Sequence, residues 1–339
     1  MQAKSAPAGR FRHVQSARQP GATAILPAMQ PLFTRRTFMA AGTSWLALAA
    51  LGRGEQAPAP NTRLVLLGTA GGPTPKATAA APAQAIVTGD RMYLVDCGDG
   101  VARQLALARL PIRQLRAVFI THQHSDHNAG YGPLFLLGWP AGLSTPVDTY
   151  GPPPLVEMTE RLLQAYRFDI ELRMADEGRP SLAPLVRPHE ITRPGLVFED
   201  DRVRVTAALN DHPPIEHSFA YRIDTADRSI VISGDTRYSE RVIALAKGAD
   251  VLVHEVVSRE FWERPDAPQP PEVVRHILAS HTDIPDVGRV AAAAGVRTLV
   301  LTHYVPTEGP NAPTDEHWLA GARRHFKGEI ILGRDLMEI

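Results

Sequence analysis

Residues Ala117 to Asn128, AVFITHQHSDHN, place four side chains able to bind a metal within six positions: His122, His124, Asp126 and His127. Val118, Phe119 and Ile120 read as the end of a buried strand that stops at Thr121 and opens into a turn. Alternate side chains of an extended segment face the same way, so His122 and His124 point together. As the backbone turns toward the next helix, Asp126 and His127 swing onto a second centre. Imidazole and carboxylate suit a borderline divalent ion, zinc above all, with manganese or iron as alternatives.

Three more apolar runs end in a ligand of the same kind, in LNDH, ISGD and VLTH, which supply His212, Asp235 and His303. If these strand ends share one edge of a sheet structure, seven ligands converge, enough for two ions when one carboxylate bridges. His122, His124 and His212 are expected on one ion, and Asp126, His127 and His303 on the other. Asp235 is expected between them. His217 rivals His212 in DHPPIEHSFAYR, but His212 ends its strand and His217 begins the next. His254 and Glu255 suit a supporting place behind the ligands. His189, His276, His317 and His325 are not expected to bind metal. Two such ions generate hydroxide from water near neutral pH, and Asp126 is placed to orient it or take its proton. The chain has no Gly-x-Ser-x-Gly turn, and this chemistry needs none.

The elements that must position these residues follow from periodicity. Arg63 to Gly68 is a buried strand run before a Gly/Pro-rich loop. Ala85 to Thr88 and Met92 to Val95 form a hairpin about Gly89-Asp90, and Val101 to Leu110 is helical up to Pro111. Asn128 to Trp139 is expected to be the helix behind the metal motif, and Leu155 to Tyr166 is an amphipathic helix. Residues 170–205 read as short strands separated by turns. Beyond them strands alternate with helices, including Asp286 to Ala294 and a helix near 315–326. Strands first grouped and then alternating with helices predict an α/β fold, a four-layer αββα sandwich. A doubly wound sheet is the alternative, and no Gly-x-Gly-x-x-Gly turn follows the first strand.

Composition bounds the rest. Lys plus Arg and Asp plus Glu both number 36, so no global field draws in nucleic acid or an anionic membrane. Cys97 is the only cysteine, which rules out an intramolecular disulfide and a multi-thiolate zinc site. It reads as a small buried filler, with a place near the metals as the alternative. Residues 1–60 show no sustained period. They hold Arg35-Arg36-Thr37-Phe38-Met39 and an uncharged apolar run from Phe38 to Leu51, about fourteen residues against the ~20 of a spanning helix. This describes a secretory signal of the twin-arginine type, with an uncleaved anchor or a disordered tail as the alternatives. Residues 61–339 would then be the working domain, in the periplasm or secreted. A start at Met29 would place the arginine pair at positions seven and eight.

The ordered set Gly68-Thr69, Asp96-x-Gly98, His-x-His-x-Asp-His, Ser233-Gly-Asp-Thr236, His254-Glu255 and Thr302-His303 resembles the metallo-β-lactamase superfamily of binuclear hydrolases. The resemblance covers residues 63 to 339. With Ala279-Ser-His281-Thr282, it is most similar to the branch of ribonuclease Z and related arylsulfatases and phosphodiesterases. It implies that His281 is not a ligand but serves the leaving group. Bacterial ribonuclease Z carries an RNA-gripping arm between the matches to Arg222 and Gly234, where eleven residues stand here. True β-lactamases use a cysteine where this chain has Asp235. The expected function is therefore a two-zinc hydrolase of small phosphodiesters or aryl sulfate esters. The alternatives are transfer RNA 3′-end processing and lactone or thioester hydrolysis. The expected partner is a small-molecule ester, with no nucleic acid, no stable membrane anchor, and a homodimer allowed.

Overall fold

The computed structural model describes residues 62–339, so the expected signal segment, with its arginine pair, and the candidate starts Met1 and Met29 lie outside the described residues. Strands β1 (Thr62–Gly68), β2 (Ala83–Thr88), β3 (Arg91–Val95), β4 (Leu115–Phe119), β5 (Val147–Gly151) and β6 (Val186–Glu190) form one sheet in that order. The second sheet runs β13-β12-β11-β10-β9-β8-β7. Its strands are β7 (Gly195–Glu199), β8 (Val203–Leu209), β9 (Phe219–Thr225), β10 (Ser229–Ile232), β11 (Val251–Val257), β12 (Thr298–Val305) and β13 (Glu329–Leu332). Both sheets are mixed: β1 to β3 and β7 to β10 pair antiparallel, whereas β3 to β6 and β10 to β13 pair parallel. The helices are α1 (Val101–Leu107), α2 (Ser125–Asn128), α3 (Tyr131–Gly138), α4 (Leu155–Ala165), α5 (Arg167–Glu177), α6 (Glu240–Ala246), α7 (Arg259–Trp262), α8 (Pro271–Ser280), α9 (Ile284–Ala294) and α10 (Asp315–Arg323).

Alternation along the strands builds the layers. On β1, Leu64 and Leu66 enter the core between the sheets, while Val65 and Leu67 face the outer core. On β9, Phe219, Tyr221 and Ile223 face inward and Ala220 outward. The outer core of the first sheet takes in Val101 of α1, Leu134 and Phe135 of α3, and Leu155 of α4. That of the second takes in Val242 of α6, Val287 and Val290 of α9, and Trp318 of α10. The result is the expected four-layer αββα sandwich.

Three local expectations differ from the fold. Residues 167–177 are helix α5 rather than part of a strand series; only Ile170 is buried, and Arg173 pairs with Asp169 and Glu177 one turn away on either side. The helix behind the metal motif is broken into α2 and α3. Strand β12 does not stop before His303: it continues to Val305, and His303 is an extra residue between the pairs Glu255↔Thr302 and Val256↔Tyr304. Such a bulge turns a side chain out of the regular alternation. Here the residue adopts φ 48°.

Candidate metal centre

The edge formed by the ends of β4, β8 and β10 and the bulge of β12 gathers the sequence-selected residues into two groups that share one member. His122, His124, His212 and Asp235 form the first, and Asp126, His127, Asp235 and His303 the second, with the ligand atoms of each within 4.8 Å of one another. All except His124 are buried. His217 belongs to neither group, nor do His189, His254, His276, His317 and His325.

In the first group the rings are held from behind. Thr121 Oγ1 lies 3.0 Å from His122 Nδ1, and the Ser280 carbonyl 2.9 Å from His212 Nδ1. Nε2 of both rings therefore faces His124 Nδ1, at 3.0 and 3.2 Å. A tetrahedral zinc ion with nitrogens at about 2.0–2.1 Å sets neighbouring nitrogens about 3.3 Å apart. Burial pushes the His122 imidazole well below its usual range, and His212 down to about 4, so both favour the neutral form a ligand needs.

The second group is richer in carboxylate. Asp235 Oδ2 lies 3.3 Å from His127 Nε2 and 3.2 Å from His303 Nε2, and Asp126 Oδ2 lies 3.4 Å from His303 Nε2. His127 Nδ1 meets Asp96 Oδ2 at 2.8 Å, which fixes its ring. Asp96 also accepts from the Thr121 amide at 2.8 Å and adopts φ 63°. Asp96 and His303 thus both hold left-handed backbone at the centre. Burial alone would lower His127, but Asp235, Asp96 and Asp126 raise it well above the usual range. Burial alone would raise Asp235, yet His127 and His303 hold its carboxyl well below its usual range.

One atom tests whether these residues fit two ions. Asp235 Oδ1 is buried and has no hydrogen-bond partner, while Oδ2 faces the histidines. A buried carboxylate oxygen left bare is costly, and the residue belongs to both groups, as a bridging ligand would. The donor set therefore fits two divalent ions.

His281 caps the end of α8 and belongs to neither shared group; it does approach Glu255 and His303 closely. Glu255 Oε2 lies 3.2 Å from His281 Nδ1, and Glu255 Oε1 accepts from the amides of Thr282 and Thr236. Burial alone would lower His281, but Glu255, with Asp235 and Asp126, raises it to about 9, which favours the protonated ring. Cys97 packs in the outer core of the first sheet, and its amide donates to the His127 carbonyl. It is the buried filler. Burial pushes its thiol well up.

Sequence reading missed two features. Asp96 stands in the Asp96-x-Gly98 motif, but its place behind His127 is not read from the sequence, although the polar run DCGDG after a strand is its signal. His276 on α8 faces the centre, with its ring 6.4 Å from that of His124 and 6.3 Å from that of His212. A cavity of about 890 Å³ opens over the centre and is lined by Asp126, Asp235, His276, His281 and His303.

Residues 91–304 match the beta-lactamase superfamily domain. Ribonuclease Z of Mycobacterium sp. (strain KMS) is 36% identical over 278 residues, which cover 81% of this chain and 95% of that one. Ribonuclease Z of Mycobacterium bovis (strain BCG / Pasteur 1173P2) is 35% identical over 279 residues, 81% and 97% of the two chains. Among solved structures, the metallo-β-lactamase fold protein YhfI from Bacillus subtilis superposes with a TM-score of 0.62 at 23% identity, covering 82% of this chain and 98% of its own. Human tRNase Z, short form, gives 0.61 at 22% identity with the same coverage. These superpositions show a shared fold. The chain belongs to the beta-lactamase superfamily of metallo-hydrolases and is a homologue of ribonuclease Z.

Proposed function

We propose that this chain is a two-zinc phosphodiesterase whose substrate is the 3′ end of an RNA, as in ribonuclease Z. The convergence of His122, His124, Asp126, His127, His212, Asp235 and His303 beside His281 carries the reading. The relatives weigh against the expectation that nucleic acid is not a partner. The short link between Arg222 and Gly234 does not set this chain apart from the mycobacterial sequence, 95% of which is matched. That leaves no room there for a long arm.

Bound in these residues, two divalent ions would supply hydroxide at neutral pH and neutralise charge on the scissile group. The chain's own residues do the rest. Asp126 orients the attacking water or takes its proton. His281, held by Glu255, gives a proton to the departing oxygen.

A second reading keeps the chemistry and makes the substrate a small phosphodiester or aryl sulfate outside the cytoplasm. The cavity wall favours it: beyond the centre, the charged lining residues are Lys76, Arg264, Asp266 and Glu308, which cancel. RNA affinity normally rests on an excess of cations. The twin-arginine run adds a reason, since a chain exported through it does not meet precursor transfer RNA. Turnover of precursor transfer RNA, an aryl phosphodiester and an aryl sulfate by zinc-loaded protein decides between them. Cleavage of the RNA at a 3′ end, at rates above the small esters, supports the first reading. Small-ester turnover with intact RNA replaces it with the second. Among the described residues no helix is long and apolar enough to cross a membrane.

A further inference from the structure

The segment between Thr69 and Ala81 stands as a partition over the centre. Asp335 holds its two ends, accepting from the Thr69 amide at 3.0 Å and from the Ala80 amide at 2.6 Å. Glu308 holds its crest, accepting from the amides of Ala77 and Thr78 at 3.0 and 3.1 Å. A concavity lies on each side. Residues 72–76 line both, and so do Ser125 and Asp126 at the floor. The cavity of about 890 Å³ contains His281; the other, of about 550 Å³, does not.

The two sides differ in chemistry. On the His281 side, α7 and α8 present Phe261, Trp262, Val273 and Ile277, facing Val305 and Pro306. Phe261, Trp262, Ile277 and Val305 belong to a small apolar cluster of their own, apart from the three main cores. Trp262 Nε1 donates to the Val305 carbonyl at 3.2 Å, so the indole has spent its polar atom within the wall. Val273 is 40% exposed, open toward the cavity it lines. The far side lacks that wall: beyond the shared Thr74 and Lys76, small residues such as Ala70, Ala77, Ala79 and Ala81 alternate with Arg103, Gln104, Asp99, Asp335 and Thr78.

We propose that the α7–α8 wall of the larger cavity is the leaving-group subsite and selects an uncharged planar ring, an aryl group or a nucleobase. This rests on the phosphodiesterase reading. In the reaction a water oxygen bonds to phosphorus while the bond from phosphorus to the leaving oxygen breaks and its electron pair goes to that oxygen. The water gives up a proton to a site carboxylate, and the leaving oxygen takes one from His281. The departing oxygen must therefore lie on the His281 side of the partition, and its substituent enters the cavity with the apolar α7–α8 wall, where the charges of Lys76 and Arg264 are offset by Asp266 and Glu308. A charged substituent would lose its hydration against Val273, Ile277 and Trp262. A ring keeps its dispersion contacts and has no charge to desolvate, which is why bases are held through their faces without sequence preference.

The test compares methyl phenyl phosphate with methyl 4-carboxyphenyl phosphate, which differ in charge on the leaving ring. The zinc-loaded wild type should prefer the neutral ring by about tenfold or more, on the scale at which apolar pockets discriminate, and the difference should lie in KM. Val273→Arg should erase the preference, while Val273→Leu should keep it. Arg103→Gln, on the other side of the partition, should leave the ring preference intact. Calorimetric binding of phenylphosphonate, weakened by Val273→Arg and not by Val273→Leu, reads the subsite without turnover. A short RNA whose leaving nucleotide is abasic distinguishes the sources. A loss as large as from phenyl to methyl assigns the cavity to a nucleobase, and none assigns it to a free aryl ester. Equal kcat/KM for the neutral and anionic rings, unchanged in Val273→Arg, overturns the inference and leaves the hydrolase standing. No turnover of any diester, with phenylphosphonate still bound through Val273, overturns the phosphodiesterase reading instead.

Discussion

The first sheet delivers His122, His124, Asp126 and His127 from the end of one strand, whereas the second delivers His212, Asp235 and His303 from three. The first share is local. Its geometry is set by Thr121, Asp96 and the short helix α2, all within a few residues of one turn or paired to it. The second share exists only if β8, β10 and β12 are in register. Each of the two ligand groups draws on both sheets, so neither ion can be bound by one sheet alone. The centre thus joins the sheets as well as serving chemistry.

That difference gives the largest expected effect. Asp235 is the one residue common to both groups, and it comes from the second sheet. Asp235→Ala should lose both metals, measured by elemental analysis of the dialysed protein, and activity should fall to background. Asp126→Ala removes a residue of the second group only and should retain one metal. Two metals in Asp235→Ala would break the bridging assignment.

The same comparison explains what was legible. The contiguous ligands, the hairpin about Gly89-Asp90 and the alternating strands could be read because their cause is local periodicity. The scattered ligands could be read only as a set, because a single histidine at a strand end carries little information. Helix α5 escaped because Phe168 and Leu172 point to solvent, at 80% and 52% exposure, so it has no apolar stripe to detect. Helix α8 was missed although Val273, Val274, Ile277 and Leu278 recur at helical spacing; ten residues flanked by prolines are a short signal. The bulge at His303 had none, since a left-handed histidine inside a strand is a product of packing.

The next effect belongs to neither ligand share. His281→Ala should keep both metals and lose about 10²–10⁴-fold in rate on an ester with a poor leaving group. A nitrophenyl ester, which needs little proton help, should lose much less. The sign with pH follows from the raised imidazole: His281 is the acid below about 9 and loses its proton as pH rises through that value. Bound cations would move this limb downward. The wild type should therefore show an alkaline fall on the poor leaving group that is absent in His281→Ala. Equal losses on both esters, or a lost metal, would show that His281 is structural.

A smaller effect is expected from behind the first sheet's ligands. Asp96 orients His127 through Nδ1 and reaches the first group only at one remove, through Thr121 Oγ1. Asp96→Asn should weaken the second-group ion by about 10–100-fold, the usual range for such a partner. The first-group ion should hold. Competition with a metal chelator would resolve two affinities, and a parallel shift of both would mean that the groups are not independent.

The smallest effect probes the seam itself. Gly234 precedes Asp235 and adopts φ 57°, and a Cβ there would meet the Phe219 carbonyl oxygen at 2.8 Å and Thr121 Cβ at 3.0 Å. Phe219 and Thr121 are themselves joined, the amide of the first donating to the carbonyl of the second at 2.9 Å. The glycine therefore sits where the two shares of the centre touch. Gly234→Ala adds a left-handed penalty of about 1–2 kcal/mol and forces either the Asp235 turn or the Thr121 turn to give way. Thermal unfolding should shift down by a few degrees. Metal affinity should fall modestly in both groups at once, because the displaced residue is the shared one. This pattern differs from that of Asp96→Asn, which is confined to one group. If Gly234→Ala lowered stability while both affinities stayed at wild-type values, the seam would be a packing contact only, and the centre would be positioned by the strand ends themselves.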